Sequence, residues 1–395
     1  MTSTHQLVDD NRALKHLMDL LAVEGSSGRE GKIAAAVRKK LLAAGCKTSW
    51  IRHDQAHRKI PGFEVGNLIV RVPGLGQHRS APRRLFIGHL DTVPLCRGAV
   101  PVRRGGRIVP KGRTGLGADN RTSVAGLVTL VECLLKHKLP RPPITVLLTV
   151  GEELGLRGSS HLQLKDLGRP ESGFNIDSGD PRKIIVGATG ADRWEVDVIG
   201  QSSHAGVHPA DGVSAIVIAS RAIETIVSKG FFGEVVKGRR RGTSNVGVVE
   251  GGEVTNQVTD YVFVRGESRS HDRKFKEQIT ATYRRAFEAA ARSVRNRKGK
   301  KGKVRFRASV DYESFHMDEN SPVVRRTVDA VKALRLRPEL VTVDGGVDAN
   351  PLNQQGVPTV TLGAGQHHPH TLDEYVDIKE YLTGCRLVVG LAAER

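Results

Sequence analysis

The sequence predicts an α/β fold: a discontinuous domain built on a largely parallel sheet, with a smaller α+β unit inserted into it. Three observations predict it. Short apolar runs bounded by Gly and Pro alternate with helical patterns in the first half, the rhythm of a parallel sheet covered by helices. Between about 193 and 310 the rhythm changes to strand, helix, two strands, helix, strand, the order of the split-βαβ, ferredoxin-like sandwich. Beyond Pro322 the first rhythm resumes. The expected divisions are 1–190 and 312–395 for the two parts of the larger domain and 191–311 for the insertion.

Along the chain, residues 12–21 and 31–42 repeat apolar side chains at three- and four-residue intervals, which puts them on one helix face. Residues 67–72 and 85–89 are apolar runs of strand length, and 124–137 return to helical spacing. Residues 144–150 (ITVLLTV) are almost wholly apolar, with Pro142 and Pro143 before them and Gly151 after, as in a strand covered on both faces. Residues 173–176 form another such run. In the insertion a strand is expected over 194–199, a helix over 213–227 and strands over 246–250 and 261–267. A long helix over 273–297 and a strand over 303–310 complete it. Residues 378–392 close the chain as a helix.

A chain of 395 residues, 38% of them hydrophobic, is long enough for about two cores. No apolar run reaches the ~20 residues that span a bilayer. The start of the chain lacks a basic stretch followed by an apolar one, so no signal peptide and a cytoplasmic location are expected. Cys46, Cys96, Cys133 and Cys385 are scattered without CxxC spacing and read as reduced thiols. Charge is the discordant feature: 61 Lys and Arg against 42 Asp and Glu give a formal +19, concentrated in Arg239, Arg240 and Arg241 and in residues 295–303 (RNRKGKKGK). Such a surplus raises nucleic acid as a partner. Aromatic residues are only 4% and do not interleave with the basic runs, which argues against a base-stacking platform. The runs are read as solvated surface that attracts acidic partners or substrates.

The chemistry lies at the ends of the apolar runs. TVGEELGLRGS puts Glu152 and Glu153 side by side just after a buried strand. Neighbouring side chains at a strand end point in different directions, so one can bind a cation while the other stays free as a proton carrier. GHLDTVP ends another strand with His89, a neutral imidazole donor, and Asp91, placed to hold the second ring nitrogen. An HxD pair alone equally describes a structural hydrogen bond. LGADNRTSVAG puts Asp119 in a glycine-flanked turn that opens a helix, suited to a carboxylate bridging two cations or to a plain N-cap. FNIDSGD places Asp177 after a strand, where Asp is also a turn former. GAGQHHPHTLDEYVD supplies His370, with His367 and His368 nearby. Oxygen donors mixed with imidazole suit zinc, manganese or cobalt. Two such ions about 3.5–4 Å apart could share Asp119 and polarise both a carbonyl and a water.

Nine segments in register carry a resemblance over nearly the whole chain: GHLDTVP, LGADNRTSVAG, GEELGLRGSS, NIDSGD, SSHAGVHPADGVSAI, NVGVVEGGEVTNQV, GESRS, GGVDANPLNQQGVPTVTLGAG and HTLDEYVDI. The sequence resembles the co-catalytic zinc exopeptidases and amidohydrolases, the family of peptidase T, carboxypeptidase G, aminoacylase and succinyl-diaminopimelate desuccinylase. It most resembles the peptidase T-like branch. The resemblance implies a discontinuous zinc-exopeptidase catalytic domain and an inserted dimerisation and lid domain. It implies one zinc among His89, Asp119 and Asp177 and another among Asp119, Glu153 and His370. Glu152 is then the general base and acid, Asp91 the residue that orients His89. His370 is preferred to His367 and His368 by its distance from DEYVD. A cis peptide after Asp119 is also implied. In the lid, His204 is implied to stabilise the oxyanion from the partner subunit, and Arg269 and Asn256 to bind a substrate carboxylate. Asn120 and Arg121 depart from the Asp-Lys that often follows the bridging aspartate, with a basic residue retained in the second position.

The expected function is metal-dependent cleavage of short peptides by a cytoplasmic homodimer, as an aminopeptidase on tripeptide-like substrates. Two zinc ions, or cobalt or manganese, are the expected cofactors. An N-acyl amino acid deacylase or a carboxypeptidase fits the same segments. A nucleic-acid-binding protein on a hydrolase scaffold is the remote reading that the charge raises. A membrane partner is not expected.

Overall fold

The computed structural model describes residues 7–393, so the first six residues, on which part of the reading of the chain's start rests, lie outside the described residues. Two compact units divide the chain. One holds the residues up to Gly187, His316–Val343 and those from Val347 onward; the other holds Ala188–Phe315 with Asp344–Gly346. The cuts thus fall at 187/188 and 315/316, where the sequence pattern places them at 190/191 and 311/312.

In the larger unit, Arg84–His89 pairs in parallel with Ile144–Thr149 on one side and Ser172–Ile176 on the other. Thr359–Leu362 continues the parallel set beside Ser172–Ile176. Leu68–Val72 and then Ile51–His53 extend the other edge antiparallel. Every residue of Arg84–His89, Ile144–Thr149 and Ser172–Ile176 is buried, which is why these runs read as apolar throughout rather than alternating. Helices Asp10–Leu21, Ala118–Lys136 and Ile378–Ala392 pack on one another, and Ala118–Lys136 lies against Arg84–His89. Ile69, Leu85, Ile87, Leu147, Leu162, Leu167, Leu352 and Val357 form an apolar cluster. Register sets His89 opposite Thr149 and Ile87 opposite Asn175. The chain therefore leaves the sheet at residues 90, 150 and 177 along one edge, the carboxyl ends of parallel strands, where open α/β sheets place their ligands.

The helix expected from 124 begins at Ala118, with Asp119 and Asn120 in non-helical conformations. Its first turn is hidden in the sequence because Asn120, Arg121, Thr122 and Ser123 are polar yet buried, so no amphipathic stripe marks them.

The smaller unit is an antiparallel sheet of five strands in the order Gly233–Lys237, Arg240–Glu250, Tyr261–Ser270, Gly190–Ile199, Lys303–Tyr312. The last four have the strand order of the split-βαβ sandwich, and Gly233–Lys237 adds one edge strand. No strand signal marks that segment in the sequence, because it is short and runs into the arginine cluster. Helices Ala215–Ser228 and Arg273–Ser293 pack together and against the sheet, closing a core around Trp194, Phe275, Tyr283 and Phe287.

The long helix ends at Ser293, not at 297. Beyond it the chain forms a built turn: Arg295 bridges to Lys301, and Asn296, 8% exposed, accepts the N–H groups of Lys298 at 3.0 Å and Lys300 at 2.9 Å while donating to the Asp211 carbonyl. The basic run is thus fixed in shape. All four cysteines are free and buried, and among the described residues no helix is long and apolar enough to cross a membrane.

Within this unit Lys276 is fully buried between Asp192 at 2.8 Å and Glu313 at 3.2 Å. Replacing it by methionine removes the buried cation from between the two carboxylates, leaving Asp192 with Thr280 and Glu313 with Arg273, and loss of one partner from a buried ion cluster costs about 3–5 kcal/mol. Lys276→Met should lower the urea midpoint of this unit accordingly; an unchanged midpoint would show the pair to be energetically idle.

Candidate metal centre

The turn after Ile144–Thr149 is held by its backbone. The N–H of Val150 donates to Asn67 Oδ1 at 3.1 Å, that of Gly151 to Glu30 Oε1 at 3.0 Å, that of Glu152 to Asp91 Oδ1 at 3.0 Å and that of Glu153 to Asp91 Oδ2 at 3.2 Å. Asn67, Glu30 and Asp91 are all 0% exposed. A strand end out of reach of water must find such acceptors, because an unmet buried N–H costs as much as a lost hydrogen bond. Gly151 takes a left-handed φ of +62°, and a Cβ there would stand 2.4 Å from the Phe63 ring. Asp348 ties the two ends of the segment together, accepting from Thr149 Oγ1 and Ser159 Oγ, each at 2.5 Å.

Asp119 is placed by a second turn. Glu374 accepts the N–H groups of Leu116, Gly117 and Asp119 at 2.6, 2.8 and 3.0 Å. The Asp119–Asn120 peptide is cis. Asn120 accepts the His89 N–H and donates to Asp177 Oδ1 at 2.9 Å, and Gln366 Nε2 donates to the same oxygen at 3.0 Å.

These turns bring the predicted donors together. His89 Nε2 lies 3.0 Å from Asp119 Oδ1 and 4.0 Å from both Asp177 Oδ1 and Glu152 Oε2. His370 Nε2 lies 2.9 Å from Glu153 and 3.5 Å from Asp119 Oδ2. Among the described residues three sets of ligand atoms lie within 4.8 Å of one another: His89, Asp119 and Asp177; Asp119, Glu153 and His370; and His89, Glu152 and Glu153. The first two share Asp119. Asp91 lies under His89 as expected, although the nearest acceptor to His89 Nδ1 is the Asp91 carbonyl at 3.0 Å, with the carboxylate at 3.4 Å.

The carboxylates crowd one another. Burial pushes the Glu152 pKa well above its usual range against the pull of His89, with Asp177, Asp348 and Glu153 adding to the rise. Burial and the Asp119 charge push Asp177 up to about 8, and burial also raises Glu153. Asp119 goes the other way: hydrogen bonds from His370 and His89 outweigh its burial and hold it low. Those bonds to Asp119 and Glu153 lift His370 to about 10. Clustered oxygen and imidazole donors with unrelieved like charge are the donor set that divalent cations neutralise, and the residues present fit two of them.

His367 and His368 stay out of these donor sets. His367 Nε2 meets Glu380 at 2.5 Å, and both rings contact Tyr375. In the smaller unit, exposed His204 accepts at Nδ1 the N–H groups of Gly206 and Val207. Its segment pairs with that of Asn256 through His204 and Gln257 and through Ala205 N–H to the Asn256 carbonyl. Arg269 forms a two-toothed ion pair with Glu267 at 2.9 and 3.1 Å, the strand ion pair that its setting also allows.

Residues 85–394 match the profile of peptidase family M20/M25/M40. The chain belongs to this family. Uncharacterized protein YqjE of Bacillus subtilis is 31% identical over 389 residues, covering 98% of this chain and 99% of that protein. This M20/M25/M40 chain also superposes on a tripeptidase from Staphylococcus aureus with a TM-score of 0.86 at 28% identity, and on aminopeptidase PepT from Bacillus cereus with 0.82 at 30%. Each match covers 98% of both chains.

Sequence reasoning singles out the donors but not their supports: Glu30, Asn67, Asp348, Gln366 and Glu374. The last three lie inside the motif segments; Glu30 and Asn67 carry no signal beyond an acid at a helix start and a polar residue at a strand start. Asn67→Ala would take the side-chain partner from the Val150 N–H, the Gly158 carbonyl and Asp54 Oδ2. At about 1–3 kcal/mol for a stranded buried group, it should lose at least about 2 kcal/mol in chemical denaturation; a loss below about 0.5 kcal/mol would show that water replaces the amide.

Proposed function

We propose that this protein is a cytoplasmic, homodimeric metallopeptidase that removes the N-terminal residue from tripeptide-like substrates. The observation that carries the reading is the pair of donor triads joined through Asp119, beside a glutamate left free. Among the described residues the Glu152 carboxylate takes part in no hydrogen bond, whereas that of Glu153 is tied to His370. The likeness to a tripeptidase and to an aminopeptidase supports the choice of substrate class.

His89, Asp119 and Asp177 would hold one divalent ion and Asp119, Glu153 and His370 the other, zinc in the first instance, with cobalt or manganese as substitutes. When bound, such a pair polarises the scissile carbonyl and makes a nucleophile of water at neutral pH. Glu152 accepts the proton of the attacking water and returns it to the leaving amine. Asp91 orients His89 through its carbonyl and carboxylate, and its carboxylate accepts the Glu152 N–H and so holds that residue in place. Because His204 Nδ1 accepts two backbone N–H groups, a neutral ring carries its hydrogen on Nε2 and can donate it to the oxyanion in the partner subunit's site. Arg269 and Asn256 would hold the substrate carboxylate, with Glu267 as the partner that the substrate displaces from Arg269.

Purified protein should cleave unblocked tripeptides, lose activity to a chelator and regain it with added Zn2+, Co2+ or Mn2+. Cleavage confined to N-acyl amino acids would overturn the aminopeptidase reading. Glu152→Ala should keep its bound metal and lose about three orders of magnitude or more in kcat, at the upper end of general-base effects; wild-type turnover would remove Glu152 from the proton-transfer role. His204→Ala mixed with Glu152→Ala should recover part of the activity, since one of the two mixed sites is intact. Mixed dimers that stay inactive would place His204 outside the partner's site.

A further inference from the structure

We infer that Glu30 is a positioning residue of this active site: by accepting the Gly151 N–H it helps to fix the Val150–Gly151 peptide, one residue before Glu152, and so where the proton-carrying carboxylate stands. The inference rests on the role of Glu152 proposed above. Glu30 occupies the N-cap position of helix Gly31–Ala43 but makes no capping bond to it. Its carboxylate turns away, and Oε1 accepts from Gly28 N–H at 2.9 Å and from Gly151 N–H at 3.0 Å. A surface Ser or Asn would start the helix at lower cost. Instead the chain buries an acid completely and leaves Oε2 without a hydrogen-bond partner, an arrangement that costs free energy unless it serves something else. Burial and the neighbouring Asp91 charge push its pKa up to about 7. Buried Arg121, which bonds the Leu90 and Val23 carbonyls, is the cation that interacts with both acids.

Asn67 accepts the Val150 N–H and Asp91 those of Glu152 and Glu153, while the Val150 and Gly151 carbonyls accept from Gly158 and Arg157; Glu30 is the acceptor of the Gly151 N–H. Gly151 has no side chain to lock its own conformation, and its left-handed φ is one that glycine leaves as readily as it enters. Rotation of that peptide would swing Glu152, and displacements near 1 Å at a reacting group cost about a hundredfold in rate.

Three variants of the full chain test this. Glu30→Gln keeps an acceptor oxygen at the same reach, Glu30→Asp keeps the charge but falls one methylene short, and Glu30→Leu removes the acceptor. With the metal-loaded protein on a tripeptide, kcat should fall about 10- to 100-fold in the Asp and Leu variants. KM and bound metal should stay within about twofold, and Gln should recover kcat to within about threefold. In metal-free protein, amide hydrogen exchange across residues 150–153 should speed at least about tenfold in Asp and Leu and not in Gln. Wild-type kcat in a folded Asp or Leu variant, unchanged exchange, or a Gln variant as impaired as Leu would each overturn the inference. Should Leu fail to fold, Asp and Gln decide it. A wild-type protein that cleaves no peptide would sink the proposed function, while the exchange measurement still judges Glu30.

Discussion

Capture of four successive backbone N–H groups by buried side-chain oxygens is the constraint on which the site depends. Sheet pairing ends at Thr149, and beyond it the chain must turn inside the protein with its amides unmet. Asn67, Glu30 and Asp91 meet them from three separate segments. The conformation of Glu152 and Glu153 is therefore imposed by tertiary structure rather than by local propensity. That is what two adjacent glutamates need if they are to do different work: the backbone is fixed, so each carboxylate has its own direction. Glu374 does the same for Asp119 through three amides.

The supports carry an electrostatic cost of their own. Asp91, Glu30, Asp348 and Glu374 are buried acids within the same region that holds Asp119, Glu152, Glu153 and Asp177. Only Asp119, between two imidazoles, is held low among the four donor-set carboxylates; burial and mutual repulsion lift Glu152, Glu153 and Asp177. The fold thus maintains an assembly that opposes itself, and positive charge arriving at its centre relieves the opposition. Cation binding and folding are coupled in such a site, since the unfolded chain offers no comparable gathering of ligands.

Four of the donor-set residues were legible because they are polar residues at the end of a buried apolar run: His89 after Ile87, Asp177 after Ile176, Glu152 and Glu153 after Val150, whereas Asp119 and His370 sit in turns and stood out through the motif resemblance. Burial on both faces makes the runs conspicuous, and a charged residue at their end has few structural uses. The supports were not legible, because what they contact is the backbone of residues distant in the chain. Glu30 meets Gly151 and Glu374 meets Leu116, and nothing in a side chain's identity names the amide it will receive. Ala118–Lys136 lost its first turn to the same blindness, its buried Asn, Arg, Thr and Ser imitating a loop. The strand Gly233–Lys237 was hidden by neighbouring charge, and helix periodicity carried the long helix four residues too far, into a turn that Asn296 organises through tertiary contacts.

That turn changes the meaning of the basic run. A floppy polycation can fold back on nearby acids and mask itself. Here the frame is set by a buried amide, and Lys298, Lys300 and Lys301 stand exposed on it. The molecule carries a permanent positive prow, with a field that reaches about 10 Å in 0.1 M salt and roughly 30 Å in 0.01 M. Any acidic group that approaches this stretch is drawn to it more strongly as the medium is diluted, so ionic strength acts on encounter and not on the chemistry at the donor cluster.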